Sequence, residues 1–148
     1  MTTLFSSLWR GTEQQISRIL DKVDDTNIHN SIKPGMRSVG IMFLHIGESQ
    51  FSFAQTLFGA EIPSFTPQTL GRAENPVGVV SAEELKAFVR KSCETLTLSI
   101  AKCPDDAWNK PVQTPWKVEM PRNAVMGFAM NHTMQHIGQI IQALKYGE

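Results

Sequence analysis

An all-α four-helix bundle, with a long crossover between its second and third helices, is the fold this sequence predicts. Three observations carry that expectation. Apolar residues recur at three- and four-residue steps through four segments of about twenty residues each. Proline, glycine and a Ser-x-x-Glu capping signal punctuate those segments where helices begin and end. Between residues 59 and 80, prolines and glycines occur without helical or strand periodicity, so a long connection must return the chain to the far end of the bundle. At 148 residues the chain fits one domain, 1–148, because a core of this size buries about two thirds of the surface exposed by the unfolded chain.

The first helix is expected from Thr3 to Asp24, with Leu4, Phe5, Leu8, Thr12, Ile16, Ile19, Leu20 and Val23 on one stripe. Asp24-Asp25-Thr26-Asn27 breaks the period, and Pro34 fits the first position of a second helix, where a missing N–H costs nothing. Val39, Met42, Ile46, Ser49, Phe53 and Leu57 form that helix's inward stripe, and Gly59 closes it. The run Val39 to Ile46 is apolar almost all round and must be heavily buried; His45 lies inside it. Pro63, Pro67, Gly71, Pro76 and Gly78 mark the crossover; a strand over Pro76 to Val80 would be too short to organise a sheet.

Ser81-Ala-Glu-Glu84 has the capping-box form and starts a third helix, whose buried face reads Leu85, Phe88, Val89, Ser92, Leu96, Ile100 and Cys103 before Pro104 ends it. A second proline-rich connection, Pro104 to Met120, carries Trp108 and Trp116. Pro121 opens the fourth helix, with Lys145 near its end and Gly147 beyond.

Charge and composition exclude several classes. Fourteen basic residues balance fourteen acidic ones and are scattered, so no electrostatic footprint for nucleic acid or anionic lipid is visible. No apolar stretch is long enough to span a bilayer, and no secretory leader pattern opens the sequence, so a cytoplasmic protein is expected. Cys93 and Cys103 are too few for a disulfide framework and too far apart for a CxxC motif; both read as free thiols.

The fourth helix carries the chemistry. Its expected stripe, Val125, Phe128, Ala129, His132, His136, Ile140, Ala143 and Leu144, places two histidines at core positions. Imidazoles four residues apart on a helix stand one above the other, about 5 to 6 Å between Cβ atoms, close enough to converge on one cation. A buried imidazole with an unpaired nitrogen costs about 1 to 3 kcal/mol, so inward histidines need a partner. His45 is the natural third ligand if the second helix packs beside the fourth. Three histidines would leave coordination positions open, the arrangement of catalytic rather than structural sites. Imidazole suits zinc, nickel, iron or copper without choosing among them. Thr133, Met134 and Gln135 follow His132, so the HExxH pattern of zinc proteases is missing. A polar core network without metal is the competing explanation of the pair.

Gly35-Met-Arg-Ser-Val-Gly-Ile-Met-Phe-Leu-His45-Ile, then Asn131-His132-Thr-Met-Gln-His136-Ile-Gly-Gln139 and a terminal Lys145-Tyr-Gly147, resembles the DinB-like superfamily over most of the chain. That resemblance implies a four-helix bundle in which His45, His132 and His136 bind a divalent metal ion, with zinc or nickel expected first and iron or manganese as alternatives. It implies that dimers are common. It also implies a choice of activities: metal-dependent hydrolysis, or transfer and isomerisation dependent on a low-molecular-weight thiol. The expected function is therefore a metal-dependent enzyme, a hydrolase or a thiol-dependent transferase, acting on a small-molecule substrate. The rivals are a non-catalytic metal-binding or stress-associated bundle and a metal-free interaction module.

No catalytic acid or base follows from the sequence, but several residues are candidates for supporting roles. Glu48, one turn after His45, is placed to orient a ligand imidazole or act as a general base, against the ordinary alternative of a solvated carboxylate. Gln139, one turn after His136, could bond a ligand or substrate, and His29 could approach as a fourth ligand. Trp116 could border a substrate pocket or merely anchor its loop. Gly40, Gly47, Gly127 and Gly138 weaken helix interiors, which suggests close helix contacts, including a dimer interface. Cys93 reads as a small core residue.

Overall fold

The computed structural model describes residues 1–70, 81–114 and 116–147. Among them, four helices form the body: α1 (Thr2–Leu20), α2 (Val39–Phe58), α3 (Ala82–Lys102) and α4 (Arg122–Tyr146). α2 packs against α3 and α4, and α1 packs against the same two, so α1 and α2 lie across a diagonal. Side-chain pairs fix the directions. Gly47 faces Phe88 and Gln50 bonds Ser92, so α2 and α3 run parallel. Trp9 bonds Thr97 while Asp21 pairs with Arg90, so α1 opposes α3. His45 meets His132 while Leu57 meets Arg122, so α4 opposes α2. Parallel neighbours require a crossover, which is the physical reason for the long connection after Gly59.

The α2 stripe is as expected, with Val39, Met42, Ile46, Ser49, Phe53 and Leu57 all buried. Its start is not. Pro34 lies in a turn, Gly35 takes a left-handed φ of 82°, and the helix begins at Val39, where the Ser38 hydroxyl accepts the Ile41 N–H at 3.3 Å. A side-chain cap satisfies an orphan donor that proline at the first position would only omit. α1 ends at Leu20, earlier than Asp24, so the link to α2 runs over residues 21–38. Val23 and Ile28 from that link are core residues, and Ile28 takes the Gly40 N–H at 2.8 Å, so the link plugs one end of the bundle. On α1 the stripe is rotated at its beginning: Leu4 and Leu8 are exposed, and Trp9 is buried with its indole N–H on Thr97 Oγ1 at 2.7 Å.

Ser81 caps α3 through the Glu84 N–H, as its motif requires. The Pro104 to Met120 connection contains a 3₁₀ turn (Asp105–Ala107) and an antiparallel pair, β1 (Pro111–Gln113) and β2 (Glu119–Pro121), with Val112 opposite Met120. Three-residue strands are too short for periodicity to reveal. Trp108 is fully buried there, stacked on Phe5 at 4.2 Å, with its N–H on Thr2 Oγ1 at 2.8 Å. Pro121 immediately precedes α4 rather than opening it. The strand weighed at Pro76 to Val80 lies outside the described residues.

Gly47 has a packing reason within the chain: a Cβ there would stand 2.7 Å from Phe88 Cε1, so the missing side chain lets α2 and α3 approach. Gly127 and Gly138 have open space beside them within the chain.

Candidate metal centre

Antiparallel packing of α2 on α4 brings His45 opposite His132 and His136, which share one side of α4 because they are four residues apart. The three are half-buried, and His45 is the most enclosed. The buried stripe of α4 is Val125, Met126, Ala129, Thr133, Ile137, Ile140 and Ala143. His132 and His136 therefore stand beside the core stripe rather than within it, and Phe128 is exposed. That offset leaves His132 and His136 only half-buried, at the border of the core.

His132 Nε2 lies 3.1 Å from His45 Nε2 and 3.2 Å from His136 Nε2. Four ligand nitrogens placed tetrahedrally at about 2.0 to 2.1 Å from a zinc ion stand about 3.3 Å apart, so these two spacings suit a shared cation, and all three ligand atoms lie within 4.8 Å of one another. Hydrogen bonds on the outer nitrogens say which atoms carry protons. The Thr69 hydroxyl donates its one proton to Glu48, so its oxygen accepts from His45 Nδ1–H at 3.1 Å and leaves Nε2 with a lone pair. Gln139 Oε1 accepts from His136 Nδ1–H at 2.8 Å, with the same result. His132 Nδ1 is buried and has no partner among the described residues. One Nε2 proton on His132 can satisfy only one of two facing lone pairs. A cation satisfies the converging nitrogens together, so the donor set fits a metal ion.

Electrostatics agree. Burial pushes His45 down to about 4, with His136, His132 and Arg37 adding repulsion. Burial likewise lowers His132, with repulsion from His136 and Arg37. His136 is lowered by burial first, against the opposing bond to Gln139. All three are neutral near pH 7, the state in which an imidazole ligates.

Around the cluster the described residues form two different walls. On the α2 side, Glu48 is 1% exposed and accepts the Gln68 N–H at 2.7 Å, the Thr69 N–H at 2.9 Å and the Thr69 hydroxyl. Glu48 thus reaches the site through Thr69, and its carboxylate is occupied rather than free to act as a base. Sequence reasoning missed Thr69, because nothing in the aperiodic crossover marks which residue returns to α2. On the α4 side, Phe128 stacks beside His132 at 5.9 Å, and Trp116 packs on Phe128 at 5.0 Å. The turn between the β-strands sets Trp116 there, with Lys117 at a φ of 63° and Thr114 Oγ1 accepting the Val118 N–H at 3.0 Å. His29 is exposed and does not join the cluster.

Both cysteines are buried free thiols, and burial pushes Cys93 up to about 12, with Glu13 adding to the shift and a bond to Gln50 opposing it. No helix among the described residues is long and apolar enough to cross a membrane.

Three neutral imidazoles converging between facing helices define a four-helix-bundle protein with a candidate metal centre. The chain belongs to the DinB superfamily, whose family model matches residues 8–140. No curated protein is similar to it by sequence. Among solved structures, a DinB-like protein from Bacillus cereus superposes with a TM-score of 0.78 at 18% identity, covering 95% of this chain and 89% of that one. A conserved protein from Enterococcus faecalis gives 0.72 at 13% identity, covering 99% and 96%. A mycothiol-dependent maleylpyruvate isomerase gives 0.75 at 16% identity, and 95% of this chain covers 60% of that protein. At these identities the likeness is one of fold.

Proposed function

We propose that the protein is a metal-dependent enzyme for a small-molecule substrate, with His45, His132 and His136 holding one divalent cation. The observation that carries this reading is the convergence of three Nε2 atoms, 3.1 and 3.2 Å apart about His132, while the outer nitrogens of His45 and His136 are occupied by Thr69 and Gln139. When bound, a divalent cation supplies Lewis acidity toward a water molecule or a small thiol. Zinc or nickel suits an all-imidazole donor set, with iron next and manganese, which favours oxygen donors, last.

The chain's own residues divide the remaining work. His45 and His136 keep their lone pairs aimed inward, and low imidazole basicity keeps protons off the site at neutral pH. Phe128 and Trp116 offer an apolar wall beside His132 for the non-reacting part of a substrate. Two chemistries share this frame, hydrolysis by water and transfer to an external low-molecular-weight thiol. The second draws support from the mycothiol-dependent neighbour and from the chain's own cysteines, which are buried, with the Cys93 thiol held protonated. A nucleophilic thiol would have to come from outside.

Elemental analysis of protein purified without chelators tests the site. About one equivalent of metal, lost in His45→Ala and in His132→Ala, is the expected result; no metal after reconstitution with zinc, nickel or manganese overturns it. Catalysis is tested by comparing ester or amide hydrolysis with thiol conjugation. Rates no higher than those of His136→Ala would leave a non-catalytic metal-binding bundle.

A further inference from the structure

We propose that Glu48 and Thr69 are positioning residues for His45, joined as a buried relay that fixes which ring nitrogen of His45 carries the proton. The inference rests on the metal-centre reading and adds the part of the chain that prepares the ligand. Glu48 is a carboxylate in the core of α2, and no cationic side chain among the described residues pairs with it. Its partners are instead two backbone N–H groups and one hydroxyl, all from residues 68 and 69. With each oxygen accepting a backbone amide, this carboxylate offers the Thr69 hydroxyl only acceptor positions.

Those acceptor positions dictate the rest of the chain of bonds. A hydroxyl beside an acceptor-only group must donate to it, and a hydroxyl that has spent its proton can only accept from His45 Nδ1. His45 is thereby locked with Nδ1–H outward and the Nε2 lone pair toward His132 and His136. The buried negative charge also sits one hydroxyl away from an imidazole that would carry part of a dication's charge, which raises the basicity of that ligand. The same bonds fasten the crossover to α2 at residues 68 and 69, so the connection that topology requires also sets the ligand's protonation.

Two measurements on the full chain test this relay. In metal-free protein labelled with ¹⁵N, ring-nitrogen shifts should show the His45 proton on Nδ1. Thr69→Val should redistribute it toward Nε2, and Thr69→Ser should return it to Nδ1. Glu48→Gln keeps the shape but presents an N–H₂ group, which frees the Thr69 hydroxyl to donate to His45 and should move the His45 proton to Nε2.

In zinc competition titrations, Thr69→Val and Glu48→Gln should bind about 10- to 100-fold more weakly than wild type, with Thr69→Ser near wild type. Unchanged zinc affinity and an unchanged tautomer in Thr69→Val would overturn the proposal. So would a Thr69→Ser variant as weak as Thr69→Val, since lost packing rather than a lost hydroxyl would then be the cause. If wild-type protein bound no zinc, the metal-centre reading would fall, and the tautomer measurement alone would still decide whether Thr69 sets His45.

Discussion

The two helices that supply the candidate ligands prepare them in opposite ways. On α2, His45 is held through Thr69 by a carboxylate that is 1% exposed, and the bonds to it come from a chain segment 20 residues or more away. On α4, His136 is held by an exposed glutamine three residues along the same helix, and His132 Nδ1 is bonded to nothing among the described residues. A buried, charge-assisted relay is expensive to disturb, whereas an exposed neutral bond competes with water. The α2 half of the site is thus built into the fold, whereas the α4 half is bordered by exposed side chains, Gln139 and Phe128.

Breaking the ligand set itself should have the largest effect. His45→Ala or His132→Ala should reduce bound metal from about one equivalent to background, read by elemental analysis, because two imidazoles leave the cation largely to solvent.

Disturbing one outer-nitrogen bond on each helix should separate the two halves of the site. Gln139→Ala should weaken zinc binding by much less than the 10- to 100-fold expected for Thr69→Val, since water replaces an exposed partner. Equal losses in the two variants would erase the distinction between the halves.

A change at the aromatic wall should separate binding of substrate from binding of metal. Phe128→Ala should leave zinc affinity near wild type while raising KM for whichever substrate a screen identifies, because the ring stands beside His132 without occupying its nitrogens.

A separate effect is expected on stability with pH, in the metal-free protein. All three histidines are lowered from their ordinary value, His45 to about 4. The unfolded chain therefore binds more protons than the folded one once pH drops below about 6.5, and stability should fall as pH falls from there toward about 4. Above that window it should be flat with respect to these groups. Urea midpoints at several pH values would show this, and His45→Ala should flatten part of the slope.

Much of this was legible in the sequence because it depends on regular repetition. Six positions on α2 and the four-residue step from His132 to His136 follow from helical geometry, and a long aperiodic stretch after Gly59 implied the crossover. The adjacency of α2 and α4 had to be assumed, since nothing local specifies which helices touch. Phase was less secure than period: on α4 the buried stripe runs through Met126, Thr133 and Ile137, which turns Phe128 and both histidines toward its border. Thr69 and the β-strand pair were hidden for one reason, that contacts set by long-range folding leave no periodic trace in short segments. Glu48 was visible as a candidate, but its burial and its three partners belong to the fold.

The central claim is that one cation is held by three imidazole nitrogens. X-ray absorption at the metal edge of the zinc-reconstituted protein tests it most directly. Three histidine scatterers are expected at about 2.0 to 2.1 Å, with any further ligand being a lighter oxygen or nitrogen donor. A shell containing sulfur at about 2.3 Å, or one made of oxygen alone, would contradict it.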